Sequence, residues 1–207
     1  MKKLYVIIIS YNSKKTIERC IKSIKEQTFR DYYLITIDNN SSDNSISKIK
    51  KLTKNYNIKF KLIQNNKNLG FAKAVNQGIK EALKNKECDS ILLINPDTYF
   101  ENNLFKEGHQ ILQNKNIGAC VPKILYPNNN IWWIGTKLLT KKELILKSNY
   151  SFSKHIYKGI NYKKVEKKFE KINNTVILTG CAMFIKKEAV NKIGYFNEQY
   201  FMYAEDA

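Results

Sequence analysis

Polar side chains stand directly after two apolar runs that lie far apart in the chain. Residues 4–9 are followed by Ser10 and Tyr11, and residues 91–94 are followed by Asn95-Pro96-Asp97. Buried parallel strands read as continuous apolar runs, and open α/β sheets bind ligands beyond the carboxyl ends of their strands. A carboxylate behind a proline is held at a fixed point, where it can share a metal ion with phosphate oxygens. The two runs together predict a nucleotide-sugar site.

The apolar spacing also predicts the elements that must position these residues. Strand and helix patterns alternate over the first two thirds of the chain, which is typical of an α/β fold with a mostly parallel sheet covered by helices. We expect strands at residues 4–10, 33–37, 60–63 and 90–95, and helices after Ser13, around 46–52, at 71–83 and at 102–113. The third helix has the most regular apolar stripe, formed by Phe71, Ala74, Val75, Gly78, Ile79, Ala82 and Leu83.

Turn and capping residues predict the helix caps and the strands and helices beyond the fourth helix. Ser13 is expected to cap the first helix, and the polar cluster at residues 38–43 can both bind a ligand and cap the second. Beyond the fourth helix we expect a strand near 119–121, a turn at 127–130, a strand at 175–178, extended chain at 181–185 and a helix at 187–193 that ends at Gly194.

Residues 137–171 differ from the rest of the chain. They hold eleven lysines against three glutamates, a local net charge of +8, and their apolar periodicity is low. This pattern predicts an insertion or mobile loop over one face of the sheet. Its lysines can be a solvated surface, or they can hold the protein against anionic lipid.

The composition limits the class of protein. A chain of 207 residues with 43% hydrophobic content can bury a core, and we expect one domain. The net charge of +18 favours polyanionic surroundings such as nucleic acid, anionic lipid or phosphorylated substrates. The four cysteines lack metal-ligand or redox spacing, which predicts reduced thiols in a cytosolic protein. No apolar segment has the length of a signal-peptide core or a membrane span.

Seven short blocks follow one another along the chain: Ser10-Tyr11-Asn12-Ser13, Gln27-Thr28-Phe29, Asp38-Asn39-Asn40-Ser41, Asn68-Leu69-Gly70-Phe71-Ala72, Asn95-Pro96-Asp97, Thr179-Gly180-Cys181-Ala182-Met183 and Glu205-Asp206. In this order they resemble family 2 glycosyltransferases with the GT-A fold, and most of all the bacterial, rhamnosyltransferase-like enzymes that build cell-surface polysaccharides. The resemblance covers essentially the whole chain. It implies a Rossmann-like sheet, with residues 1–100 as the nucleotide-sugar half and 101–207 as the acceptor side.

The resemblance also implies which residues bind a nucleoside-diphosphate sugar. An aromatic ring beside a carboxylate or amide can stack on a pyrimidine and pair with its imide edge, which suits the loops after the first two strands. The residues that match the donor-binding blocks are Ser10, Tyr11, Asn12, Asp38, Asn39, Asn68, Gly70, Phe71, Asn95 and Asp97.

A divalent metal cofactor is implied in the same way. Asn95-Pro96-Asp97 stands where the family has an Asp-x-Asp metal motif, with an amide in place of the first acid. Mg²⁺ or Mn²⁺ is commonly held by one or two carboxylates with substrate phosphates, so Asp97 can suffice while Asn95 binds ribose or a water. Taken without the family, Asp97 can instead cap the helix near residue 102.

The acceptor side is implied by the last two blocks. The aspartate of the family's Glu-Asp motif takes the proton from the acceptor hydroxyl, and Asp206 matches it. Glu205 and Asp206 are adjacent and cannot form the facing carboxylate pair of a glycosidase, so a single displacement with inversion is expected. Gly180, Cys181 and Glu205 match the acceptor side.

Other functions stay open or are excluded. Family members continue beyond the Glu-Asp motif, whereas this chain stops one residue after Asp206, which favours a fragment that binds the donor with weak turnover. A nucleic-acid module would use residues 137–171, although no block matches such a motif. The turn after the first strand lacks the glycines of a dinucleotide-binding oxidoreductase. His109 and His155 stand alone, and we assign them no ligand role.

Overall fold

The computed structural model describes residues 2–133 and 178–201. Strands and helices alternate up to the fourth helix, as the apolar spacing predicts. The strands are β1 (Lys3–Ser10), β2 (Tyr32–Asp38), β3 (Phe60–Gln64), β4 (Cys88–Ile94), β5 (Ala119–Cys120), β6 (Ile124–Leu125), β7 (Ile131–Trp133) and β8 (Ala182–Lys186). The helices are α1 (Ile17–Lys25), α2 (Ser45–Asn55), α3 (Phe71–Leu83), α4 (Leu104–Ile111) and α5 (Lys187–Ile193). Among these described helices, none has the length and apolar content needed to cross a bilayer.

Six strands form one sheet in the order β3-β2-β1-β4-β8-β5. The strands β3, β2, β1 and β4 are parallel to one another, and β8 runs antiparallel to both β4 and β5. The prediction of a mostly parallel sheet flanked by helices is therefore confirmed. The two antiparallel pairings of β8, with β4 and with β5, were not predicted, because no local pattern shows which strand pairs with which.

The strand register brings three carboxyl ends together. Ser10 of β1 lies opposite Asp38 of β2, and Ile8 lies opposite Ile94 of β4. Asn95 follows Ile94 directly in the chain. The polar residues that follow β1, β2 and β4 therefore leave the sheet at one edge, where open α/β sheets bind their ligands.

Helices cover both faces of this sheet. On one face, Val6 and Ile8 belong to an apolar cluster that includes Ile21 of α1. Ile7 points to the opposite face, since neighbouring strand residues alternate. There α3 approaches so closely that a Cβ on Gly78 would lie 2.6 Å from Ile7 Cγ2. The glycine in the predicted stripe therefore allows the helix to pack directly on β1.

The described residues fall into two compact units, residues 2–122 with 179–201, and residues 123–133 with Leu178. In the second unit, β6 and β7 form a hairpin whose turn has a 2.8 Å hydrogen bond from the Tyr126 N–H to the Asn130 carbonyl oxygen. The predicted turn at 127–130 is confirmed. The domain boundaries expected from the sequence stay a prediction.

Several predicted boundaries and caps change. Thr16, not Ser13, is the residue before α1, and the Ser13 hydroxyl bonds to Ser10 Oγ at 2.6 Å instead of to an N–H group of the helix. The predicted capping role of the Ser13 side chain is wrong. The fourth helix is shorter than expected, and Leu178 is not in a strand; residues 175–177 lie outside the described residues. Gly194 ends α5 with φ +91°, as predicted.

Candidate active site

The loop after β1 is fastened to the loop after β2 by polar contacts. Ser41 Oγ accepts from the Asn12 N–H at 2.9 Å, and Asn12 Oδ1 accepts from the Ser42 N–H at 2.9 Å. Asn12 adopts φ +49°, in the left-handed region that asparagine tolerates better than most residues. These contacts fix the loop that presents Tyr11, whose side chain is 51% exposed. The exposed ring therefore has a fixed backbone.

Asp43 completes this connection. Its carboxylate accepts a 2.9 Å hydrogen bond from the Lys14 N–H and a 3.1 Å bond from the Ser45 N–H, and it also bonds to the Ser45 hydroxyl. Ser45 begins α2, so the polar cluster does serve a helix start, as the sequence predicts. Burial raises the pKa of Asp43, but these hydrogen bonds outweigh it and hold the pKa below its ordinary value.

We expect Asp43→Ala to destabilise the protein by about 1–3 kcal/mol, because it leaves N–H groups of both loops unpaired. A depressed carboxylate pKa contributes stability above the ordinary pKa, and that contribution is lost as pH falls through the folded value. The difference between wild type and variant in urea denaturation should therefore be full at pH 7 and shrink below about pH 4. Asp31→Ala, at an exposed position before β2, is the control. An equal, pH-independent loss in both variants contradicts the assignment.

Asp38 ends β2 as a fully buried carboxylate. Its Oδ2 accepts from the Ser41 N–H at 2.9 Å, whereas Oδ1 has no hydrogen-bond partner among the described residues. Thr36, two residues earlier and so on the same strand face, also has a buried hydroxyl without a partner in the described part of the chain. Buried polar groups are nearly always hydrogen-bonded, so each exception needs an explanation.

Asn39 connects the end of β2 to the loop before α3. Its Nδ2 donates to the Gly70 carbonyl oxygen at 3.1 Å, and its Oδ1 accepts from Asn65 Nδ2 at 2.9 Å. Asn68 Oδ1 accepts from the Gly70 N–H at 2.9 Å. The structure thus brings Asn39, Asn68 and Gly70 together with Asp38, and Phe71 follows at the start of α3. The Asn39 side chain is hydrogen-bonded within the protein and stabilises the loop before α3.

The loop after β4 carries the third group. The Asn95 N–H donates to the Cys181 carbonyl oxygen at 3.0 Å, and the Asn95 carbonyl oxygen accepts from Thr98 Oγ1 at 2.7 Å. These bonds form a tight turn that leaves Asp97 exposed. Asp97 does not cap α4, whose preceding residue is Asn103. Gly180 and Cys181 lie beside this turn because β8 pairs with β4.

Helix α1 and the residues directly after it contact the chain that follows this turn. Gln27 is fully buried, donates to the Glu101 carbonyl oxygen at 2.7 Å and accepts from the Phe105 N–H at 2.9 Å. The Arg19 guanidinium lies 3.8 Å from the centre of the Tyr99 ring, within the range of a cation–π contact. The Gln27-Thr28-Phe29 block thus positions the segment that carries Asp97.

Two cysteines lie near Asp97 and remain thiols. Burial raises the pKa of Cys20 to about 12 and that of Cys181 to about 11, and the negative charge of Asp97 acts in the same direction on both. Metal ligands and nucleophiles require the thiolate. All four cysteines are unpaired; Cys20 and Cys88 are buried, and Cys120 and Cys181 are partly buried. No group of three or more His, Cys, Asp or Glu side chains that could hold a metal ion occurs in residues 2–133 and 178–201.

Some predicted residues cannot be placed. Glu205, Asp206 and the lysine-rich segment 137–171 lie outside the described residues. The sequence analysis also missed a buried residue, Asn76 of α3, which binds the chain near Phe196. Its signal was available, because an asparagine beside the apolar stripe of a helix must find partners when it is buried.

Comparisons with known proteins agree with this geometry. The model of the family described as Glycosyl transferase family 2 matches residues 5–194. The low-salt glycan biosynthesis hexosyltransferase Agl10 of Haloferax volcanii is 26% identical over 203 residues, which are 98% of this chain and 59% of the relative. The UDP-Glc:alpha-D-GlcNAc-diphosphoundecaprenol beta-1,3-glucosyltransferase WfgD of Escherichia coli is 25% identical over 181 residues, 86% of this chain and 56% of the relative. The chain therefore spans less than two thirds of the length of these relatives.

A solved structure shows the fold. The mannosyltransferase PcManGT from Pyrobaculum calidifontis, in complex with GDP-Man and Mn²⁺, aligns with a TM-score of 0.69 and 15% identity over 99% of this chain and 49% of that chain. At this identity the likeness establishes architecture alone, and that architecture is the predicted GT-A fold.

Proposed function

Because the chain belongs to glycosyl transferase family 2, we propose that it transfers a sugar from a nucleoside diphosphate to a hydroxyl group of a cell-surface glycan or lipid-linked acceptor. The observation that carries this proposal is the convergence of strand ends. Tyr11 follows β1, Asp38 ends β2 and Asp97 lies in the turn after β4. These three strands are neighbours in register, and their carboxyl ends meet at one edge of the sheet. An exposed ring, an unpaired carboxylate oxygen and an exposed carboxylate offer stacking, an acceptor for an N–H group and a metal ligand.

Asp38 supports a role in nucleoside binding. Its Oδ1 is a buried acceptor without a partner among the described residues, and the imide N–H of a pyrimidine is a donor of the required kind. This oxygen is enclosed, so a base reaches it only after a local shift of the surrounding loops. The hydrogen bond from Asn39 Nδ2 to the Gly70 carbonyl oxygen attaches the loop before α3 to the residue that follows Asp38. Ser10, Asn12, Asn68 and Phe71 would complete the donor side.

The donor set at Asp97 fits a divalent metal. One exposed carboxylate with the Asn95 amide nearby is enough for Mg²⁺ or Mn²⁺ when substrate phosphates supply further oxygen ligands. The bound metal would neutralise charge on the diphosphate leaving group. The turn at residues 95–98 is bonded to Cys181, and the residues after it are held by Arg19 at Tyr99 and by Gln27 at Glu101. These contacts on both sides would keep the Asp97 carboxylate at a constant place in the site.

Asp206 is proposed as the base. It would accept the proton of the acceptor hydroxyl while that oxygen attacks the anomeric carbon from the side opposite the diphosphate, which inverts the configuration. Glu205, Gly180 and Cys181 would form the acceptor side. The net charge of +18, and a relative named for a diphosphoundecaprenol-linked substrate, support a location at the cytoplasmic face of an anionic membrane.

Replacing Asp38 tests the nucleoside site. Asp38→Asn keeps the shape of the side chain but removes its charge. The amide can also turn its own N–H group toward the N–H of the nucleotide base, so we expect at least tenfold weaker nucleotide binding. The test is calorimetry with UDP, GDP and dTDP in the presence of Mn²⁺. Asp31→Asn makes the same change at the opposite end of β2 and should bind like wild type. Equal affinity of the Asp38 variant and wild type, or no binding of any nucleotide to wild type, contradicts the proposal.

A further inference from the structure

Asn76 of α3 has a buried side-chain amide that hydrogen-bonds to the chain after α5. Only 1% of its surface is exposed. Its Oδ1 accepts a 3.0 Å hydrogen bond from the Phe196 N–H, and its Nδ2 donates at 2.9 Å to both the Phe196 carbonyl oxygen and Glu198 Oε1. One side chain therefore satisfies both backbone groups of Phe196, as a neighbouring strand would, and uses all its donors.

The same segment is attached again at the start of α3. The Phe71 N–H donates to the Phe201 carbonyl oxygen at 2.8 Å. Gly70 has φ +82°, and a Cβ at this position would lie 2.5 Å from that oxygen. Glycine is thus required for the close approach of Phe201 to the loop that Asn39 braces. The segment from 196 to 201 is fixed to α3 at both ends.

This segment leads directly to the Glu-Asp motif. Four residues separate Phe201 from Asp206, so the length of the chain keeps the Cα atom of Asp206 within roughly 18 Å of the Cα atom of Phe201. Catalysis is sensitive to placement, and a displacement of about 1 Å can lower a rate a hundredfold.

We propose that Asn76 is a positioning residue for the acceptor-side base. It fixes residues 196–201, which precede the Glu-Asp motif in the chain, on the same helix whose start borders the donor loop. This inference rests on the proposed function, since it takes Asp206 as the base. All the hydrogen bonds of the Asn76 side chain go to Phe196 and Glu198, so its loss should change turnover and not donor affinity.

Asn76→Leu tests the inference, because it keeps the branching of the side chain at Cγ and removes all three hydrogen bonds. The matched control is Thr53→Val, which removes a buried 2.9 Å bond to the Ile49 carbonyl oxygen within α2. The donors are UDP-, GDP- and dTDP-linked hexoses with Mn²⁺, and the assay is release of the nucleoside diphosphate. For N76L we expect a kcat at least tenfold lower, a donor KM within twofold of wild type, and faster hydrogen exchange at the Phe196 amide. T53V should leave all three unchanged.

A second variant covers the case in which N76L does not fold. Asn76→Asp keeps an acceptor for the Phe196 N–H but sets a carboxylate against Glu198, so kcat should fall, and adding Glu198→Gln should restore part of it. An unchanged kcat in N76L or N76D, or an equal fall in T53V, overturns the inference and leaves the proposed function intact. Wild type that neither binds nor cleaves any of the donors overturns the proposed function, and the inference with it.

Discussion

Asp97→Asn is expected to abolish the effect of Mn²⁺ on nucleotide affinity and to lower transfer by about a hundredfold or more. The reason is that Asp97 is the exposed carboxylate of the turn after β4, and a neutral amide is a much weaker ligand for a hard cation beside a diphosphate. Calorimetry with a nucleoside diphosphate, with Mn²⁺ and with EDTA, measures the first effect. Steady-state turnover measures the second.

Glu101→Gln is the matched control for this prediction. Glu101 is an exposed carboxylate four residues after Asp97 in the same connection, and its backbone carbonyl oxygen, not its side chain, accepts from Gln27. The control should keep the Mn²⁺ effect and the turnover of wild type. If the Asp97→Asn variant has the nucleotide affinity of wild type, and Mn²⁺ raises that affinity by the same factor, the metal binds elsewhere.

Asp206→Asn is expected to stop transfer while donor binding stays within twofold of wild type. A positioned general base contributes roughly 10²–10⁴ to a rate, and asparagine cannot accept the proton of the acceptor hydroxyl. The readouts are kcat, and the dissociation constant for the donor in the presence of Mn²⁺, both in the full chain. Such a separation assigns the residue to chemistry and not to donor binding.

Glu188→Gln provides the comparison for the Asp206 variant. Glu188 is an exposed carboxylate at the start of α5, and its neutralisation should leave both readouts unchanged. Retained turnover of the Asp206 variant would move the base to another residue. A parallel loss of donor binding would instead indicate a role in holding the donor.

Local sequence patterns predicted the buried strands and helices that alternate in the first part of the chain. Continuous apolar runs located β1 and β4, and the stripe in α3 located the helix that packs on β1 through Gly78. The polar blocks at the strand ends could be assigned to one edge because parallel strands share a direction. Their meeting at one edge was therefore predictable, as the register of Ser10 with Asp38 shows.

Contacts between distant segments could not be predicted. Serine is a common helix-capping residue, yet the Ser13 hydroxyl bonds to Ser10 Oγ. The Ser13 N–H donates to Ser45 Oγ, so contacts with a distant segment determine the conformation of the chain before α1. Nothing near Asn76 in sequence indicates that its partners are Phe196 and Glu198, which lie 120 and 122 residues away. The antiparallel pairing of β8 with β4 has the same origin, since it depends on the path of the chain after β5. Each of these contacts joins residues that are far apart in the sequence, so no short sequence window could predict it.

The most direct measurement of the central claim is a crystal structure with a bound nucleotide. The ligand would be the nucleoside diphosphate that calorimetry selects from UDP, GDP and dTDP, with Mn²⁺. We expect the base against the Tyr11 ring, a hydrogen bond from the base to Asp38 Oδ1, and the metal on Asp97 beside the diphosphate. A nucleotide bound away from the edge shared by β1, β2 and β4, or a metal without Asp97 among its ligands, would contradict the account.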